Sequence, residues 1–144
     1  MFSKACEYAI RATIFIASES EKGKRVSLKE IAREIDSPEA FTAKTLQKLS
    51  RSGIITSTKG AHGGFHVLPE NMDEIVVSQI VVAIDGDTVY KRCSLGLEKC
   101  SEDHPCPFHY KFKPVRQELQ EIVENTTLKD LTSGLISGDT FLKV

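Results

Sequence analysis

Residues 27–53 read SLKEIAREIDSPEAFTAKTLQKLSRSG, and the fold turns on how this stretch is parsed. Ser27 and Glu30 have the spacing of a capping box, and behind them Leu28, Ile31, Ala32 and Ile35 form one apolar helical face. A second start signal follows at once. Ser37 reads as a cap, Pro38 as the first helical position, Glu39 as a charge near the positive end of the dipole, and Gly53 as the stop. Two short helices this close together make a helix-turn-helix pattern, in which the second helix lies across a DNA major groove. Any αα-corner of a helical protein has the same outline, so the flanking sequence must decide.

Downstream, residues 54–68 read IITSTKGAHGGFHVL, two β-prone runs (Ile54 to Thr58, Phe65 to Leu68) joined by a glycine-rich turn. A hairpin directly after the second helix is a wing. Gly60, Gly63 and Gly64 permit positive φ and close approach to a phosphate or minor-groove wall, and Lys59 offers charge. Lys44, Lys48 and Arg51, at steps of four and three, share one face of the preceding helix. Upstream, Ser3 caps a segment with Ala5, Ala9, Ala12 and Ile16 at helical spacing, a largely buried first helix. Residues 1–69 therefore read as a winged helix-turn-helix DNA-binding domain.

Charge agrees with that division. Up to Pro69 the chain holds 11 Lys+Arg against 7 Asp+Glu, and from Glu70 onward 8 against 13, so a net charge of -1 conceals a basic front half. Phosphate attraction needs only a local positive face. The 144 residues, 40% apolar, suffice for a real core. No signal-peptide block opens the sequence and no run approaches the ~18 apolar residues that span a bilayer, which points to the cytoplasm and no membrane partner. Reducing conditions there make the cysteines ligands or reactive thiols in preference to disulfides.

Residues 70–144 read as a cluster-binding loop and a dimerisation helix. The segment IVVSQIVVAID (75–85) is ambiguous: Val and Ile enrichment favours a strand, whereas Ile80 and Ile84 at a spacing of four fit a helix. Phe108, Phe112, Val115, Leu119 and Ile122 step by 4, 3, 4 and 3, a heptad seam that calls for a partner helix. The same helix in a second copy is the expected partner, giving a homodimer; packing onto the chain's own winged domain is the alternative. Pro114 lies inside the seam and should kink or split the helix near Lys113. The fold class is thus mainly α with a small β-hairpin, a winged helix-turn-helix domain plus a long C-terminal dimerisation helix.

Between those segments, CSLGLEKCSEDHPCPFH (93–109) holds three of the four cysteines and two of the four histidines. Six residues separate Cys93 from Cys100, five separate Cys100 from Cys106, and two separate Cys106 from His109. Compact zinc sites pair cysteines two to four residues apart, so the wider spacing suits an iron-sulphur cluster, approached by thiolates from several directions. Pro107 favours a helix start just after Cys106, placing that sulphur at the positive end of a dipole, with His109 one turn on. A Cys106–His109 nucleophilic pair would leave Cys93 and Cys100 without a task, which argues against an enzyme. His104, before Pro105, reads as a loop residue.

The EYAIRA helix, the 27–55 unit, the KGAHGGFHVL wing, the cysteine loop and the closing NTTLKDL together resemble the IscR and NsrR type of bacterial winged-helix transcription regulator, over essentially the whole chain. The resemblance implies a homodimer that binds pseudo-palindromic double-stranded promoter DNA. It implies sensing of iron-sulphur status, redox state or nitric oxide through a cluster held by Cys93, Cys100 and Cys106. His109 matches the fourth ligand of the IscR branch, and Glu7, reaching from the partner subunit, is its rival from the NsrR branch. With His109 preferred, [2Fe-2S] is favoured over [4Fe-4S]. For DNA the resemblance points to Thr42, Lys44 and Thr45 near the bases, and to Lys48, Lys59 and Gly60 near backbone or minor groove. Pro38, Ala40 and Ala43 replace polar and acidic residues of the IscR branch, so the operator should differ. The resemblance also makes 75–85 a helix. The alternative is a cluster-free regulator acting through a protein partner or thiol oxidation.

Overall fold

The computed structural model describes residues 1–144. Seven helices and one hairpin follow in the order α1 (Lys4–Glu21), α2 (Leu28–Glu34), α3 (Glu39–Arg51), β1 (Thr56–Thr58), β2 (Gly64–His66), α4 (Val77–Asp85), α5 (Thr88–Lys91), α6 (His109–Asn125) and α7 (Leu128–Ser137). This is the expected mainly α architecture with a small antiparallel wing. No helix is long and apolar enough to cross a membrane.

The caps explain where the front helices begin. Ser3 accepts from the Cys6 amide at 3.0 Å and Ser27 from the Glu30 amide at 3.2 Å, each satisfying one orphan donor. At α3 the start falls one residue later than expected. Pro38 occupies the cap position, its carbonyl accepts from the Thr42 amide at 2.9 Å, and the Ser37 hydroxyl is taken by Thr42 Oγ1 instead. Gly53, at φ 74°, ends the helix as expected.

In the wing Thr56 faces His66, Ser57 faces Phe65 and Thr58 faces Gly64. Val26, just ahead of α2, adds a fourth pairing through its own amide and carbonyl to Phe65, at 3.1 and 2.8 Å. Two wing glycines are demanded by the chain itself. A Cβ on Gly63 would lie 2.2 Å from the Thr58 carbonyl oxygen, and one on Gly64, at φ +137°, 2.8 Å from that of Val26. Gly60, at φ +105°, is required by its backbone conformation, with open space where a Cβ would stand.

One core of 16 buried residues crosses the position at Pro69: Ile16, Ile31, Leu46 and Leu49 pack with Met72, Ile75, Ile80 and Leu128. Each fully buried Ile or Leu contributes about 1.5–3 kcal/mol. The 75–85 segment is helical because Val77, Ile80 and Val81 bury one face at steps of three and four against α1 and α6, and that packing outweighs their strand propensity. The chain returns to the same core through α7, whose Leu128 amide donates to the Ile75 carbonyl at 3.0 Å. Helix α6 runs unbroken through Pro114, so the proline does not split it.

Candidate cysteine-histidine centre and DNA-reading face

Cys93 follows the short α5 and is buried, 3% exposed. Gly96, at φ 75°, closes a turn in which its amide donates to the Cys93 carbonyl at 2.9 Å. The turn aims backbone amides at the sulphur. The Cys93 thiol is held below its ordinary pKa by the N–H of Leu95 first and of Leu97 next, against the effect of burial, with further help from the Cys106 side chain and the Arg116 guanidinium. Amides favour the thiolate because they meet its charge with fixed partial positive charge.

Across the loop, Cys100 Sγ stands 3.3 Å from Nδ1 of His109, the first residue of α6. His109 is 3% exposed, and its Nε2 is buried without a hydrogen-bond partner. With the ring proton on Nδ1, facing Cys100, Nε2 is an enclosed acceptor without a partner; with the proton on Nε2, Nδ1 is the acceptor facing the Cys100 thiol. Cys106 is linked to the same turn, its carbonyl accepting from the His109 amide at 2.9 Å. The helix proper thus starts at His109, two residues beyond Pro107, and the thiol whose acidity is raised is Cys93. All four cysteines are free.

Sequence reading gave Arg116 no part here, because it lies 16 residues from Cys100. About two turns into α6 from His109, its Nη2 donates to Cys100 Sγ at 2.9 Å and its Nη1 to the Arg92 carbonyl at 2.6 Å. Lys99, Lys113 and Arg116 also line a cavity of about 600 Å³ beside Cys100 and His109. Glu98 and Glu102 line it too and Glu102 pairs with Lys113, so Arg116, in contact with Cys100 Sγ, is the cation placed to offset thiolate charge. Glu7 is exposed on α1 and pairs with Lys4 at 3.3 Å; His104 is exposed in the loop. The donors fit an iron-bearing group in kind, three thiols and an imidazole, although no three of them close around a single point as a one-ion cage would require.

On α6 the seam faces outward. Phe108, Phe112, Val115 and Ile122 are 39% to 56% exposed, and only Leu119 packs inward on the cluster of Cys6, Val77, Val81 and Val123. The chain's own winged domain does not cover it.

On α3 the structure corrects two assignments. Thr42 and Thr45 are 1% and 5% exposed, and their hydroxyls donate to the Pro38 and Phe41 carbonyls at 2.9 and 3.0 Å. They share the core face with Leu46 and Leu49, so neither side chain can meet a base. Lys44, Lys48, Lys59 and Gly60 are exposed. The helix face opposite the core carries Ala40, Lys44, Gln47 and Arg51, flanked by half-buried Ala43; of these the spacing from Lys44 to Arg51 was legible and the place of Gln47 was not.

Residues 2–134 match the Rrf2 family, described as an iron-dependent transcriptional regulator. A protein of Aquifex aeolicus assigned to the HTH-type transcriptional regulators is 34% identical over 133 residues, 91% of this chain and 90% of that one. The transcriptional regulator IscR of Pectobacterium atrosepticum is 26% identical over 127 residues, 88% of this chain and 76% of that one. Among solved structures, CymR, the global cysteine regulator of B. subtilis, superposes with a TM-score of 0.73 at 25% identity, covering 92% of this chain and 96% of CymR. IscR of T. potens shares the fold at a TM-score of 0.71 and 21% identity, covering 97% of this chain and 91% of that one. A helix-turn-helix with its wing, followed by an outward-facing helix and matched from residue 2 to residue 134, places this chain in the Rrf2 family of DNA-binding transcriptional regulators, not among enzymes.

Proposed function

We propose that this regulator is a homodimer whose hold on promoter DNA responds to an iron-sulphur cluster bound by Cys93, Cys100, Cys106 and His109. The observation that carries the reading is the buried, unpartnered Nε2 of His109 at the start of α6, with Cys100 Sγ 3.3 Å from the other ring nitrogen. Leaving a buried ring nitrogen unmet costs about 1–3 kcal/mol, a cost that a metal ligand removes. The amides of Leu95 and Leu97 keep Cys93 ready as a thiolate, and Arg116 supplies countercharge at Cys100. Likeness to IscR supports the cofactor class, and ligation through His109 supports [2Fe-2S] over [4Fe-4S]. A bound cluster supplies a group sensitive to oxidation, nitric oxide and iron supply.

The residues then relay occupancy by geometry. Cys93, Cys100 and Cys106, drawn to one body, fix the 93–106 loop against the first turn of α6. The seam residues of α6 join two copies, and the α3 helices of the pair must sit about one turn of DNA apart to bind both half-sites. A small change at the root of α6 therefore shifts the balance between DNA-competent and incompetent dimers.

Anaerobic loading with iron and sulphide, followed by absorption spectra, metal analysis and gel shift, tests this. The expected result is coloured protein that loses its iron in Cys100→Ala and shows an altered spectrum in His109→Ala. Colourless, iron-free protein whose DNA affinity ignores all three Cys→Ala changes would refute it. A second reading, a metal-free thiol switch, is favoured by the activated Cys93 beside Cys106 and by the similarity to CymR; it predicts a Cys93–Cys106 disulfide on mild oxidation.

A further inference from the structure

We infer that Gln47 reads an adenine in the major groove while the methyl groups of Ala40 and Ala43 pack on thymine methyls, so that each half-site carries adjacent A·T pairs at fixed positions. The inference rests on the reading of α3 as the DNA-facing helix and deepens it. It starts from the buried set Thr42, Thr45, Leu46 and Leu49, which defines the inward face of α3. At ~3.6 residues per turn the diametrically opposite stripe is Ala40, Lys44, Gln47 and Arg51, flanked on one side by half-buried Ala43 and on the other by exposed Lys48.

Their chemistry divides the work. Lys44 and Arg51 bring charge on either side of Gln47, suited to phosphate or guanine. Gln47, between them, is the only residue of the stripe with both a donor and an acceptor in one plane, and its amide makes no hydrogen bond within the chain. A planar donor and acceptor pair matches N7 and N6 of adenine, the one base edge that offers an acceptor beside a donor in the major groove. Ala40 and Ala43 offer no polar atom at all. A methyl group there is rewarded by the thymine C5-methyl and gains nothing from the cytosine amino group. Gln47 and Ala43 also line a groove of about 430 Å³ whose opposite wall is Ser57 and Phe65 of the wing, so a base edge reaching Gln47 is held from two sides.

Enrichment of bound duplexes from a randomised library, using the purified protein as isolated and after anaerobic loading, tests the inference. Wild type should return a motif with an adenine in each half-site. Gln47→Ala should lose preference at that adenine alone, with affinity for the wild-type motif down roughly tenfold, and with an unchanged thermal midpoint because the side chain is exposed and unbonded. Ala43→Glu should replace thymine by cytosine at one neighbouring position, a gain that general loss of binding cannot imitate. A Gln47→Ala motif identical to that of wild type would overturn the inference while leaving DNA binding by α3 intact. If wild type enriched no duplex in either state, the DNA-facing role of α3 would fail and the inference with it.

Discussion

Cys6 and Cys93 carry the same thiol and are treated in opposite ways by their surroundings. Cys6, fully buried with Val77, Val81 and Val123, is pushed from an ordinary value of 9.0 up to about 12, by burial first and then by the charge and hydrogen bond of Asp85. The folded state thus favours the protonated form. The resulting stabilisation is complete below pH 9 and is lost as pH rises toward 12. Urea denaturation across that range should show a steep alkaline limb that flattens in Cys6→Ala, even though the variant is less stable at neutral pH. Gly63 supplies a second residue-level expectation. With the Thr58 carbonyl 2.2 Å from where a Cβ would stand, Gly63→Ala must displace the wing turn. It should cost more than about 1 kcal/mol, read as a lowered thermal midpoint together with weakened DNA binding.

Among the elements, α6 and α7 carry the clearest expectations. Pro114 sits in the interior of α6, where it can donate no backbone bond to the Tyr110 carbonyl. Pro114→Ala should therefore stabilise the protein by roughly 1–3 kcal/mol, measured as a shift in the urea midpoint. Helix α7 is capped reciprocally: the Asp130 amide donates to Thr127 Oγ1 at 3.1 Å and the Thr127 amide to Asp130 Oδ2 at 2.9 Å. Thr127→Ala should cost about 1 kcal/mol. The Asp130 carboxyl is held below the usual value of 3.8, chiefly by the Thr127 amide, so its contribution is present above that pH and disappears as acid protonates it. The elements also show why some of the fold could be read in advance and some could not. Helices α1, α2 and α3 announce themselves through Ser3, Ser27 and Gly53 together with a 3.6-residue period. Helix α4 does not, because Val and Ile chosen for packing against α1 look like a strand until the neighbour is known. Helix α7 was legible in Thr127-x-x-Asp130 followed by Leu128, Leu131 and Leu135, but the stretch was read only as part of a family likeness. In the site, spacing marked the cysteines and His109, whereas Arg116 is recruited by the fold. The family resemblance sets Thr42 and Thr45 on DNA, although the step of four from Thr42 to Leu46 and from Thr45 to Leu49 turns both to the core.

At the scale of the whole molecule, the exposed seam of α6 is where two copies should meet. Val115→Asp, which puts a charge in that stripe, should convert the dimer to monomer in sedimentation and sharply weaken binding to a two-half-site duplex, because avidity is lost. The affinity of wild type should fall steeply and linearly with the logarithm of salt, and Lys44→Ala should reduce that slope by about 1 if the amine meets phosphate. Arg116 carries the last consequence. A single guanidinium grips Cys100 Sγ and the Arg92 carbonyl together, so the connector is buckled to α6 by protein atoms alone. In metal-free protein this one tether should leave the stretch from Arg92 to Cys100 slow to be cut by proteases, whereas in Arg116→Ala the same stretch should be cut readily.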